Sequence, residues 1–300
     1  MNPRTILVAL AVVALGVGCQ NIDQAMNAMK PLAQQVPGVG SYADTAAKGV
    51  HAGSLVAQSA STFTPEQEYY VGRAVSAEVL ANPKFHQTSN QALQDYVSNV
   101  GQSVALGSPS VKTPYQGYRF VVLESPTVNA FSTPGGYVFI TTGAIGAAKS
   151  EEELAGVLAH EIAHVSLDHG IKSIKQSNLT EALSIIGSEA ASRSNVQLAH
   201  AFGNSVQDIV VTSITNGYSR GQEMEADSTA VIYLRESGYS PSGLVEYLRH
   251  NDFDTGGFRS DHPSASDRVA ALTAAVGGQG DTPGTQARTA RFKQAVGGAG

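Results

Sequence analysis

The stretch from Leu154 to Gly170 constrains this chain more than any other, and its centre is His160-Glu161-Ile162-Ala163-His164. Residues four apart on an α-helix lie one above the other on the same face. His160 and His164 can therefore each offer an imidazole nitrogen to one metal ion. Glu161 is turned by about 100° from His160, within reach of a water on that ion but off the ligand position. Two imidazoles at an open site, with a carboxylate beside it, are what zinc-assisted peptide hydrolysis requires. The flanks suit a helix. Ser150 followed by Glu151, Glu152 and Glu153 reads as a capping box, with acids at the positive helix end. Leu154, Val157, Leu158, Ile162 and Val165 form an apolar stripe at helical spacing, and Gly170 reads as the stop.

A catalytic zinc site takes three protein ligands and keeps one position open. A third histidine six residues after His164 is excluded, because that position is Gly170. His169 falls near the end of the same helix but off its ligand face. It reads as a partly exposed structural histidine or as one standing behind the ligands. A carboxylate from a second helix remains, and Tyr218 to Ser237 is a convincing helix. Glu223, Glu225 and Asp227 are its candidates, and spacing does not choose among them. Nucleophilic catalysis by cysteine has little support, since the sole cysteine is Cys19.

The 300 residues are 42% hydrophobic and 15% charged, with a net charge of −6, which gives no reason to expect a nucleic-acid partner. Residues 1–18 read as a secretory signal: Arg4 supplies the positive start, and Thr5 to Gly18 is an apolar run short for a membrane span. Leu15-Gly16-Val17-Gly18-Cys19 resembles a bacterial lipobox, although Gly16 rather than Leu15 stands three residues before the cysteine. The resemblance implies lipidation of Cys19, and Gln20 after it resembles lipoproteins sorted to the outer membrane. Residues 19–63, rich in Ala, Gly, Gln and Ser, read as a tether.

Thr64-Pro65-Glu66 opens a helix that runs to about Ala81, and a second is expected from about Asn90 to Val104. Tyr118 to Glu124 and Gly136 to Thr141 read as strands, with Pro134-Gly135-Gly136 as a turn. These predict a small antiparallel sheet on the metal helix, whose edge strand lines the cleft and offers substrate a strand to pair with. Residues 171–214 read as a helical cover. Helices follow from Pro241 to about His250 and around Val269 and Leu272, and residues 276–300 read as a disordered tail.

Four stretches carry a resemblance to the HtpX-like and CAAX-prenyl-protease-like zinc metallopeptidases, in particular their exported bacterial lipoprotein branch. They are Asn129 to Gly143, Glu152 to Val165, Tyr218 to Asp227, and His262-Pro263-Ser264, within 64–275. The resemblance implies an α+β, mostly helical zincin-like fold with one Zn2+ per chain. It makes Glu223 the third ligand beside His160 and His164, with Asp227 one turn on to orient a ligand histidine. It further implies roles for His262 at the oxyanion or the open metal position, for Arg268 in orienting the cleft, and for Asn129 and Ala130 in holding substrate backbone. Glu225 is left on the surface. The expected activity is endopeptidase hydrolysis of misfolded or unassembled envelope polypeptides in the periplasm, with Glu161 as general base. The alternative is an envelope chaperone or assembly factor with a latent or structural zinc site. No tandem helical repeats of the kind some relatives carry are found.

Overall fold

The computed structural model describes residues 63–174, 217–251, 265–277 and 280–297, with single positions between 203 and 212. Cys19, the signal and tether, His262 and most of the expected cover over 171–214 lie outside the described residues.

Helix α1 (Pro65–Ala81) starts where its sequence dictates. Thr64 accepts from the Gln67 N–H, and the Gln67 side chain answers the Thr64 N–H, closing a capping box over Pro65. A two-residue strand β1 (His86–Gln87) and helix α2 (Gln91–Gly107) follow. Strands β2 (Arg119–Glu124), β3 (Ala130–Thr133) and β4 (Tyr137–Thr141) complete a sheet of order β1-β2-β4-β3. The expected turn at Pro134-Gly135-Gly136 joins β3 to β4, with Gly135 at φ 71°, where a Cβ would meet the Tyr69 backbone at 2.4 Å.

The sheet is mixed rather than wholly antiparallel. Strand β4 pairs antiparallel with β3 but parallel with β2, Arg119 opposite Tyr137 and Leu123 opposite Thr141. The reason lies in β4, whose Val138, Phe139 and Ile140 are fully buried. A strand apolar on both faces takes the centre of a sheet, so β3 crosses to the far side of β4 and becomes an edge. One sheet face carries Phe120, Val122, Val138 and Ile140 into a core shared with Val97 and Val100 of α2. The other carries Leu123, Phe131 and Phe139 against Tyr70, Val71 and Val75 of α1. Edge strand β3 packs on the metal helix as expected, yet its four residues are all buried.

After a short α3 (Thr142–Ala147) comes the metal helix α4 (Glu151–Ser166). It is buried on every side, from Glu151 to Val165, rather than along one stripe. Its capping is half the expected box: Ser150 accepts from the Glu153 N–H, but Glu153 reaches the Lys149 N–H, one residue further out. Asp168, not Gly170, ends it, adopting a left-handed φ of 57° before the four-residue α5 (His169–Lys172). Gly170 answers a different need, since a Cβ there would press Pro134 at 3.2 Å.

Helices α6 (Arg220–Glu236), α7 (Ser242–His250) and α8 (Ala265–Val276) pack around this centre. Where α7 crosses α4, the backbones touch. A Cβ on Gly156 would lie 2.6 Å from the Leu244 nitrogen, and one on Gly243 would lie 2.1 Å from the Glu152 carbonyl oxygen.

The expected disordered tail is corrected by α9 (Thr285–Gly297). Its Phe292 is buried, Arg288 Nε donates to Glu152 at 2.6 Å, and Arg291 Nε donates to Glu151 at 2.8 Å. The acids that open α4 are thus buried anchors for the last helix. Among the described residues no helix is long and apolar enough to cross a membrane.

Candidate metal centre

Helix α4 presents His160 and His164 one turn apart, and α6 brings Glu223 to meet them. His160 Nε2 and His164 Nε2 are 3.0 Å apart, and the Glu223 carboxylate oxygens lie 3.4 and 3.5 Å from them. A tetrahedral zinc with bonds of ~2.0–2.1 Å holds its ligand atoms about 3.3 Å apart. One donor atom from each of the three residues lies within 4.8 Å of the other two, close enough to share one ion, and imidazole and carboxylate donors are of the right kind. None of the three side chains is more than 2% exposed.

Charge points the same way. Glu161, Glu223 and Asp227 bury three carboxylates here, and the buried cation packed among them is Arg268. Arg268 spans Asp227 with two hydrogen bonds, 2.8 Å from Nε and 2.6 Å from Nη2, and its Nη1 stands 3.3 Å from Glu223. Burial works against ionised Asp227, yet the guanidinium and the hydrogen bonds to it hold the carboxyl well below the usual range. Asp227 accepts in turn from His160 Nδ1 at 3.0 Å, leaving Nε2 directed at the other ligand atoms. Without a metal, burial and Arg268 oppose a proton on His160, but bonds to Asp227 and Glu223 push its pKa up to about 9.

The sequence-derived residues thus fall into three groups. His160, Glu161, His164, Glu223 and Asp227 converge, together with Arg268. Asn129 and Ala130 lie at the start of β3, where Asn129 is tied to Thr141 through its N–H and carbonyl and Ala130 pairs with Ile140. His262 lies outside the described residues.

Three neighbours complete the surroundings, of which sequence reasoning missed Tyr218 entirely. Tyr218 stacks on the His164 ring, centroids 4.2 Å apart at 17°. His169 is fully buried rather than partly exposed, because the Asp168 turn swings it back beneath α4, 2.8 Å from His164 Nδ1. Glu225 keeps half its side chain in solvent but reaches His169 at 3.4 Å.

Residues 91–276, well over half of the chain, match the family model described as Peptidase family M48. The chain belongs to peptidase family M48. The ligand triad and the HExxH helix lie inside this M48 match, whereas α1 and α9 lie outside it. Among curated M48 relatives, metalloprotease LoiP of Escherichia coli K12 is 24% identical over 90% of this chain and 95% of its own length. The mitochondrial metalloendopeptidase OMA1 of Schizosaccharomyces pombe is 30% identical over 62% of this chain and 52% of its own. The beta-barrel assembly-enhancing protease of Escherichia coli K12 is 24% identical over 76% of this chain. The chain spans only 45% of that protein's length.

Proposed function

We propose that this chain is a zinc endopeptidase of the bacterial cell envelope, with His160, His164 and Glu223 as the metal ligands. The observation that carries the reading is the convergence of His160 Nε2, His164 Nε2 and the Glu223 carboxylate, whose two oxygens lie 3.4 and 3.5 Å from the histidine nitrogens, with Glu161 on the next position of the same helix. Zinc bound there would acidify a water and polarise the scissile carbonyl. Glu161 takes the proton from the attacking water and delivers it to the leaving amine. Asp227, locked by Arg268, keeps the His160 hydrogen on Nδ1 and its lone pair on Nε2. We assign His262 to oxyanion stabilisation, and Asn129 and Ala130 to the stretch that holds the backbone of an extended substrate beside β3.

Substrates are misfolded or unassembled envelope polypeptides, in keeping with relatives named for beta-barrel assembly. Cys19 carries the lipid that anchors the protein to the outer membrane from the periplasmic side, with 19–63 as the tether. The test pairs metal content with casein digestion by the purified protein and by Glu161→Gln, each with and without a chelator. One zinc per chain is expected in both, with cleavage by the mutant lower by at least about 100-fold. Undiminished proteolysis by metal-replete Glu161→Gln would sink the assignment.

One observation favours a second reading. Every described member of the site, and the whole of β3, is buried. A closed site of this kind suits a latent enzyme or an envelope assembly factor. One zinc per chain with no cleavage by the wild type would select it.

A further inference from the structure

The two ligand histidines are held from behind by different chemistry. His160 Nδ1 rests on the Asp227 carboxylate, but His164 Nδ1 faces another imidazole, His169 Nδ1, at 2.8 Å. Two ring nitrogens at that distance share a single hydrogen. His164 Nε2 points to His160 and Glu223, 3.0 and 3.5 Å away, so its lone pair serves the metal and its hydrogen sits on Nδ1. His169 Nδ1 must then accept, and its own hydrogen lies on Nε2, directed at Glu225 Oε2 3.4 Å away.

The backbone is built to deliver this imidazole. Asp168 adopts the left-handed conformation that non-glycine residues avoid. Lys112 holds it there, with Nζ 2.6 Å from Asp168 and 2.9 Å from Glu68 on α1. That turn breaks the phase of α4, so His169 returns under His164 instead of continuing round the helix. Tyr218 closes the other side of the His164 ring.

We propose that His169 is the positioning residue for His164, fixing its tautomer and ring angle through an Nδ1-to-Nδ1 hydrogen bond, with Glu225 fixing the tautomer of His169. The proposal rests on the metal reading above. It makes affinity for zinc, rather than the chemical step, the quantity His169 controls.

The test measures the zinc dissociation constant of the full chain by competition with a chromophoric chelator. His169→Leu, which removes the acceptor, is expected to weaken binding 10- to 100-fold. His169→Asn can place its amide oxygen where Nδ1 stood, and is expected within about threefold of wild type. Glu225→Ala alters a half-exposed side chain without threatening the fold, and a loss of a few-fold is expected. In zinc-loaded wild type with 15N-labelled histidine, the His164 hydrogen should be found on Nδ1. A folded His169→Leu that binds zinc as wild type does, or a His169→Asn as weak as His169→Leu, overturns the proposal. If His169→Leu does not fold, an unchanged affinity in Glu225→Ala or a His164 hydrogen on Nε2 overturns it instead. A wild-type chain that takes up no zinc overturns the metal reading itself, and this proposal with it.

Discussion

Helix α4 buries charge at both ends, and the two ends settle it differently. At the first turn, Glu151 accepts from Tyr96 at 2.8 Å, from Tyr239 at 3.1 Å and from Arg291 at 2.8 Å. Glu152 accepts from the Ser240 N–H at 2.8 Å and from Arg288 at 2.6 Å. Each of these acids meets its own arginine from α9. In the second half of the helix, Glu161, Glu223 and Asp227 crowd around the two histidines with Arg268 as the packed cation. The protein has completed one end from its own residues and left the other a carboxylate-rich pocket whose His160, His164 and Glu223 are placed to share a metal ion. Structure and chemistry are thus separated along sixteen residues of one helix.

Four experiments bear on that separation. Asp227→Asn should have the largest effect, because it removes the carboxylate charge that buried Arg268 spans with two hydrogen bonds. About 3 kcal/mol of stability is expected to go, with a 10- to 100-fold loss in zinc affinity. Denaturant unfolding and chelator competition measure the two losses. Metal removal should come next: at free zinc a hundredfold above the dissociation constant, binding contributes about 2.7 kcal/mol. Hydrogen exchange on chelation should then speed up around His160 to Ser166 and leave Glu151 to Leu154 unchanged. Uniform loosening along α4 would erase the distinction between its ends. Glu151→Ala, which strands two buried tyrosine hydroxyls, should cost about 2 kcal/mol while the zinc dissociation constant stays within about twofold. A large change in affinity would mean that the two ends are coupled. Ser150→Ala should cost about 1 kcal/mol by calorimetry, the ordinary worth of a helix cap, and leave zinc binding untouched.

The metal helix was legible because its chemistry and its helical period share one short stretch. His160, Glu161 and His164 need only a regular α-helix to fall into place, whereas Glu223 and Asp227 were singled out on α6 by the family resemblance, since spacing did not choose among Glu223, Glu225 and Asp227. What escaped depends on partners distant in sequence. The α9 segment has one buried apolar residue, Phe292, so its own pattern resembles a linker. Its arginines acquire meaning only against Glu151 and Glu152, more than 130 residues earlier. The parallel pairing of β2 with β4 escaped for a similar reason, since local alternation says nothing about which strand lies next to which. His169 stands behind a ligand histidine as one of its two expected readings had it, but its full burial escaped because a continuous helix was assumed through Gly170, and one left-handed aspartate shifts the phase.

The crossing of α4 and α7 at Gly156 and Gly243 has a consequence for how the metal centre is lost. Main chain meets main chain there, so no side chain can change rotamer to let the helices slide or spread gradually. The crossing behaves as a seated joint, either engaged or apart. On heating or under hydrostatic pressure, the spacing between the histidines should therefore hold until α7 lifts away, and the signals of metal release and of lost tertiary structure should coincide in a single transition.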